Sequence, residues 1–351
     1  VTESLLPVRI IGCGYDAPDR IVTNDDMARM VDTSDAWIRE MTGIHERRFA
    51  ADDEALSDLG LRAARQAIAH AGIDPAEIDL IVVATSTPDM CMPASAALIQ
   101  ARLGASRAAC FDLEAACTGF VYGITVAQQF LQTGMYRTAL VVGGDLLSRY
   151  LNFKDRRTAV LFGDGAGAVV LRAGGEKGIL ATHLGADGNG GDFIQLPVGS
   201  RVPPSVENVE AGRHNVVMNG REVYRFAVDI VPRAIENVLQ QAGIPLERVD
   251  HIILHQANRR IMEAAAKRLG IPEERMIVNI DRFSNTSAGT IPIALAEAVE
   301  QGRIRKGDLV CLVGFGSGLT WGSTLLEWTS DTPMPPRDRL VNPPAPAGGE
   351  G

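Results

Sequence analysis

Apolar residues recur along this chain at helical and strand periods, and the order in which they do so is repeated. Leu59, Ala63, Ala67 and Ala71 form one stripe of a helix expected from about Ser57 to His70 and ended by Gly72. The run Ile78-Asp79-Leu80-Ile81-Val82-Val83-Ala84 then reads as a strand buried on both faces. Further on, Ala227, Val231, Ala234, Val238 and Ala242 form a second stripe that Gly243 ends, followed by Val249-Asp250-His251-Ile252-Ile253-Leu254-His255. These blocks lie 171 residues apart: Ala71-Gly72-Ile73 corresponds to Ala242-Gly243-Ile244, Asp79 to Asp250, and Ala84 to His255. The order continues in parallel, with Ala139-Leu140-Val141-Val142-Gly143 matching Leu309-Val310-Cys311-Leu312-Val313-Gly314, and Ala168-Val169-Val170-Leu171-Arg172 matching Ser323-Thr324-Leu325-Leu326-Glu327. Ahead of the first block, Val8-Arg9-Ile10-Ile11-Gly12 predicts a strand, and a helix is expected from about Asn24 to Met41, capped by Thr23 or Asn24.

Each half also contains an extended run that leads into an apolar helix. Ala109-Cys110-Phe111-Asp112-Leu113 precedes Cys117 and a helix ending near Gly134, while Met276-Ile277-Val278-Asn279-Ile280 precedes Asn285 and a helix ending near Gly302. Cys117 and Asn285 are 168 residues apart, as are Gly134 and Gly302, which pairs the cysteine with the asparagine at one strand-to-helix junction. Phe120, Val121, Ile124, Val126, Phe130 and Leu131 leave the first of these helices little polar face, so both are expected to be buried between two sheets. The pattern predicts two α/β units with mixed sheets packed against each other, 1–173 and 174–330. The first carries an insertion around Leu146 to Phe162, Gly185 to Asn219 reads as irregular surface loop, and 331–351 reads as a flexible Pro/Gly-rich tail.

Composition narrows the class. The chain has 351 residues, 46% of them hydrophobic, and a formal charge of −9, which argues against bulk nucleic-acid binding. Its five cysteines are odd in number and include no CxxC pair. Residues 1–7 show no basic or long apolar leader pattern, and no apolar run approaches the roughly 20 residues of a membrane span. The expectation is a cytoplasmic protein with reduced thiols, no membrane segment and no nucleic-acid partner. No His/Cys/Asp spacing matches a metal site.

Chemistry concentrates at the junctions. Cys117, followed by Thr118-Gly119 at a helix start, faces unpaired backbone N–H groups and the positive end of the helix dipole, which favour thiolate and can form half of an oxyanion hole. Cys13, Cys110 and Cys311 lie inside apolar strands and read as inert core. His255 ends a strand and opens His255-Gln256-Ala257-Asn258, where sites of α/β proteins collect; the alternative is a satisfied core histidine. Asn285 alone reads as a helix cap, and its pairing with Cys117 favours function. Phe162-Gly163-Asp164-Gly165-Ala166-Gly167 precedes a strand rather than a helix and so is not a dinucleotide fingerprint. Gly314-Phe315-Gly316-Ser317-Gly318 reads as a tight turn with close backbone approach.

Over residues 5–330 the chain resembles the β-ketoacyl-[acyl-carrier-protein] synthase III family. The motifs are Asp35-Ala36-Trp37-Ile38, Ala115-Ala116-Cys117-Thr118-Gly119-Phe120, the glycine cluster 162–167, His255-Gln256-Ala257-Asn258, Asn285-Thr286-Ser287-Ala288-Gly289-Thr290 and Gly316-Ser317-Gly318-Leu319-Thr320-Trp321-Gly322. The resemblance implies a thiolase-like duplicated α/β fold layered αβαβα, and a ping-pong condensation with acyl-CoA as substrate and no bound cofactor. In that scheme Cys117 takes an acyl group, and His255 and Asn285 donate to the enolate formed when malonyl-acyl-carrier protein loses CO2. The backbone N–H groups of Cys117 and Ser317 would form the oxyanion hole. Trp37 and Arg156 would sandwich the CoA adenine, and Met41 stands where the family usually has arginine. Arg260, with Arg259 and Lys267 on the same helix, would dock the acidic carrier; the plain alternative is a solvated face with an Arg259–Glu263 pair. Met92 would enter the partner's acyl pocket in a homodimer. Rival readings are a related acyltransferase of a specialised, polyketide-type pathway, a non-catalytic carrier-binding scaffold and a cysteine hydrolase.

Overall fold

The computed structural model describes residues 5–175 and 178–336. The segment 337–351, most of the expected tail, lies outside the described residues. Its first part is tied to the body: Gln66 Nε2 donates to the Pro335 carbonyl, and the His70 ring contacts the Thr332 carbonyl at 3.0 Å.

Two mixed sheets carry the duplication. The first runs in spatial order Val8–Asp16, Asp164–Ala173, Thr138–Leu146, Leu80–Ala84, Ala109–Leu113. The second runs Ile179–Ala186, Thr320–Glu327, Leu309–Gly316, His251–Leu254, the same order with the same directions. The strand Ile179–Ala186 escaped sequence reading because its residues are half-exposed and rich in small side chains. It sits 171 residues after Val8–Asp16 and completes the repeat. Leu56–Ala71 and Ser95–Leu103 cover one face of the first sheet, and Gly220–Ala242 covers one face of the second. Gly119–Gln132 packs against strands of both sheets, as does Thr290–Glu300. The result is helix, sheet, central helices, sheet, helix, an αβαβα arrangement.

The apolar surface of the central helices drives that layering. Phe120, Ile124 and Leu131 are fully buried, and each such side chain stabilises the fold by about 1.5–3 kcal/mol. A polar residue at any of them would strand a group between the sheets.

Three sequence expectations change. The helix expected over 24–41 is two helices, Asn24–Met30 and Asp35–Thr42, because the Ser34 side chain caps the second by accepting from Trp37 N–H. The run 276–280 forms a single bridge to Ile252 rather than a strand. There the side chain of Gln256 takes the place of a ladder, accepting from Asn279 N–H at 3.1 Å and donating to the Ile277 carbonyl at 3.3 Å.

The third concerns the junctions themselves. The turn Ala116–Thr118 opens Gly119–Gln132, and the turn Ser287–Gly289 opens Thr290–Glu300. Both turns begin at a left-handed residue, Ala116 with φ 45° and Ser287 with φ 51°. Matching these turns places Cys117 opposite Ala288, at the same 171-residue offset as the rest of the fold. Asn285 is instead the counterpart of Glu114. Each side chain accepts from the backbone N–H two residues on, Glu114 from Ala116 and Asn285 from Ser287, both at 2.9 Å. The 168-residue spacing holds only at the helix ends, because the second central helix is shorter, 11 residues against 14.

Candidate active site

Three elements bring the chemistry together. Cys117 sits in the turn that starts a central helix and is 9% exposed. His255 follows the last residue of His251–Leu254, its N–H donating to the Val313 carbonyl at 2.8 Å, so strand pairing fixes its backbone. Asn285 is clamped by the glycine cluster, its N–H donating to Leu161 O at 3.0 Å and its carbonyl accepting from Gly163 N–H at 3.1 Å. A side chain at Gly163 would bring its Cβ within 2.5 Å of Ser284 Oγ, which explains the glycine there. Gly316 has the matching role opposite the nucleophile, since a Cβ would lie 2.8 Å from Cys117 Cβ and 3.2 Å from its Sγ.

Cys117, His255 and Asn285 line one cavity of about 810 Å³. Trp37, Met41 and Arg260 line it as well, together with Arg157, Arg221 and Tyr224, which sequence reading did not single out. The Arg156 guanidinium lies 4.8 Å from the centre of the Trp37 ring, a cation–π contact. Arg260 Nη1 lies 3.6 Å from Met41 Sδ, so a guanidinium stands beside the position where the usual arginine is missing.

Other residues of the sequence reading lie elsewhere. Arg259 is engaged by Glu263 at 2.9 Å and Glu273 at 3.0 Å, as the plain helix-face reading anticipated. Lys267 is exposed on the same helix. Met92 is 81% exposed on the loop before Ser95–Leu103 and does not line the cavity of its own chain. Ser317 follows the strand that ends at Gly316, its Oγ donating to the Ile194 carbonyl at 2.6 Å. Among the described residues, no group of three His, Cys, Asp or Glu side chains could hold a metal, and no helix is long and apolar enough to cross a membrane.

The electrostatics differ from the sequence expectation at the nucleophile. Burial pushes the Cys117 thiol up to about 12, opposed by the Ser287 hydroxyl and reinforced by the Asp145 and Glu114 carboxylates. The resting group is the thiol, because desolvation outweighs the helix start. The Cys311 thiol, in the strand core, is likewise pushed up to about 12 by burial.

Burial also pushes His255 down to about 3, so its ring is neutral at physiological pH. Its Nδ1 lies 2.7 Å from Thr290 Oγ1, and its ring packs edge-on against Phe315. The unfolded chain, with a histidine near 6.5, binds more protons than the fold below that value. Stability is therefore complete above about pH 6.5 and falls on acidification toward pH 3, by about 1.4 kcal/mol per unit at the steepest. Chemical unfolding of wild type and His255→Gln at about pH 5 and about pH 7 checks this: wild type should lose more on acidification, and equal losses would refute it.

Comparison with known proteins gives the family. Two family models match, 3-oxoacyl-[acyl-carrier-protein] synthase III over residues 111–188 and the C-terminal part of the same enzyme over 239–328. A β-ketoacyl-[acyl-carrier-protein] synthase III of Symbiobacterium thermophilum is 54% identical over 324 residues, 92% of this chain and 98% of that protein. A crystal structure of the Pseudomonas aeruginosa enzyme superposes with a TM-score of 0.86 at 42% identity, covering 92% of this chain and 99% of the other. The priming β-ketosynthase of the R1128 polyketide pathway superposes with a TM-score of 0.89 at 35% identity, covering 95% and 99%. With identity at this level over nearly the whole length of both chains, this protein belongs to the β-ketoacyl-[acyl-carrier-protein] synthase III family.

Proposed function

We propose that this protein condenses an acyl-CoA primer with malonyl-[acyl-carrier protein], releasing CO2 and giving a 3-oxoacyl-carrier protein at the start of fatty-acid synthesis. The observation that carries this reading is the convergence of Cys117, His255 and Asn285 on one cavity. Cys117 attacks the primer thioester and holds the acyl group. Decarboxylation then develops negative charge on the malonyl thioester oxygen, which His255 and Asn285 stabilise by donating hydrogen bonds. The carbanion attacks the acyl-Cys117 carbonyl, whose oxyanion faces the N–H groups of Cys117 and Ser317.

Hydrogen bonding supports the donor role of Asn285 and sets the condition for that of His255. Asn285 Oδ1 accepts from Ser287 N–H, which leaves the Nδ2 amide protons for the substrate. His255 can donate from Nε2 only if Nδ1 is an acceptor. The Thr290 hydroxyl, 2.7 Å from Nδ1, donates its one proton to the Ser287 carbonyl at 3.0 Å, so in the resting site Nδ1–H donates to Thr290, and donation from Nε2 requires the hydroxyl to turn from that carbonyl to Nδ1. No metal is required, because the stabilising groups are all hydrogen-bond donors of the chain.

At the cavity mouth, the CoA adenine would insert between Trp37 and Arg156 in place of their direct contact. Arg260, beside Met41, would meet either the CoA phosphates or the acidic carrier, with Lys267 extending the basic face; Arg259 has less to offer because two carboxylates hold it. The exposed Met92 fits a homodimer in which it enters the partner's acyl pocket, and a flexible thioether there suits primers longer or more branched than acetyl. The cytoplasm, where CoA esters and free thiols coexist, suits five unpaired cysteines.

A second reading, priming of a specialised polyketide pathway, is favoured by the likeness to the R1128 ketosynthase. One experiment separates the readings. The protein is incubated with labelled acyl-CoA, the Cys117 peptide is weighed, and malonyl-carrier protein is added. Acylation followed by malonyl-dependent CO2 release is expected. Acylation without CO2 would point to transfer onto another acceptor, and no acylation to a carrier-binding scaffold. Faster turnover of acetyl-CoA than of C4–C8 or branched primers would refute the role given to Met92.

A further inference from the structure

A buried carboxylate beside the nucleophile has no part in the chemistry described so far. Asp145 ends the otherwise apolar stretch of Thr138–Leu146 and is 0% exposed. Its Oδ1 accepts from Ser86 N at 2.7 Å, Thr85 Oγ1 at 2.9 Å, and both Thr87 N and Thr87 Oγ1 at 3.0 Å. Its Oδ2 faces the other way, accepting from Ala288 N at 3.3 Å, and the neighbouring Ser287 hydroxyl favours the charged form of the carboxyl against its burial. That hydroxyl lies 3.5 Å from Cys117 Sγ. Ser287 thus bridges the nucleophilic sulfur and a buried carboxylate. It does so from a left-handed backbone conformation, φ 51°, that L-residues rarely adopt. The counterpart Ala116 has the same conformation and no hydroxyl.

Forming acyl-Cys117 from a thiol requires a proton acceptor. His255 is a poor one, since its buried ring sits where a positive charge is strongly disfavoured. Glu114 points elsewhere, accepting from Ala116 N and Ser86 Oγ. The geometry points to Ser287 and Asp145 as a proton relay for Cys117, in which the serine hydroxyl passes the thiol proton to the aspartate during acylation and returns it after condensation. This assignment rests on the reading of Cys117 as the acylated nucleophile.

The steps balance. In the first half-reaction the Cys117 S–H proton moves to Ser287 Oγ while the serine proton moves to Asp145 Oδ2. The sulfur bonds to the acyl carbon, and CoA leaves as thiolate, to be protonated by solvent. In the second, malonyl-carrier protein loses CO2, the new C–C bond forms, and the acyl carbon releases Cys117 as thiolate. The Asp145 proton then returns through Ser287, restoring thiol and carboxylate. Ser287 touches the reacting sulfur; Asp145 acts through it.

Alkylation by iodoacetamide reads the thiol without any CoA substrate. The rate of Cys117 modification is followed by peptide mass against pH in wild type, Ser287→Ala and Ser287→Gly. The glycine variant removes the hydroxyl and accommodates the positive φ, so a loss shared by both variants cannot come from strain. Both should shift the alkylation profile to higher pH and slow single-turnover acylation by acyl-CoA about 10²-fold. Asp145→Asn, where it folds, should slow acylation to the same extent, with no additional loss in the double variant, while its alkylation profile should not move to higher pH, since loss of the carboxylate lowers the thiol. A Ser287→Ala profile superimposable on wild type overturns the relay. So does a folded Asp145→Asn with wild-type acylation, which would leave Ser287 as a simple hydrogen-bond partner. If the profile shifts as expected but wild type takes no acyl group from acyl-CoA, the relay stands and the substrate reading fails.

Discussion

Cys117→Ala should form no acyl-enzyme and should lose condensation by about 10⁴-fold or more. Cys117 is the one thiol among the residues that line the cavity, so the variant lacks the group that would hold the acyl chain. Loss of one buried sulfur costs the fold only about 1 kcal/mol in lost burial and a small cavity. The thermal midpoint should therefore move by no more than a few degrees, which separates chemistry from misfolding. Slow release of CO2 from malonyl-carrier protein should persist, because the groups that stabilise the enolate are untouched. Release of CO2 that vanished along with condensation would place Cys117 in decarboxylation itself and refute this division of labour.

Asn285→Ala should give the reverse pattern. Cys117 should still take an acyl group, while malonyl decarboxylation and condensation fall by about 10²–10³-fold, as for loss of one oxyanion donor. Alanine also leaves the Ser287 N–H without its acceptor, and a buried orphan donor costs about 1–3 kcal/mol. Asn285→Asp separates the two effects. It keeps an oxygen for the Ser287 N–H but has no amide protons to donate. Its kinetic loss should match that of alanine while its stability stays nearer to wild type. Full activity in the aspartate variant would show that position 285 acts only as the cap of the turn Ser287–Gly289.

Periodicity made the buried strands and the helix stripes legible because packing and local pattern agree there. Gly72 and Gly243 ended their helices as expected, both left-handed, with φ 64° and 66°. The pattern failed where side chains replace backbone. Gln256 fills the edge at which 276–280 looked like a strand, and Ser34 interrupts a helix that hydropathy alone would continue. Cys117, His255 and Asn285 stood out through strand ends and motifs, and the fold brings them to one cavity. The pairing of Cys117 with Asn285 fails in the fold, because the 168-residue spacing of the helix ends reflects helices of 14 and 11 residues and does not extend to their starts. Asp145 gave one sequence signal, a carboxylate closing an apolar strand, but only the fold shows that Ser287, on the other half, completes its surroundings.

The matching of Cys117 to Ala288 has a consequence for counting. The frame offers two symmetry-related seats for a nucleophile, and only one holds sulfur. The companion seats are emptied too, with Ala84 opposite His255 and Glu114 opposite Asn285. A chain folded twice over therefore carries one acyl group, and titration with labelled primer should saturate at one equivalent per polypeptide. On the proposed reading the second half supplies donors to a reaction whose covalent bond forms only on the first.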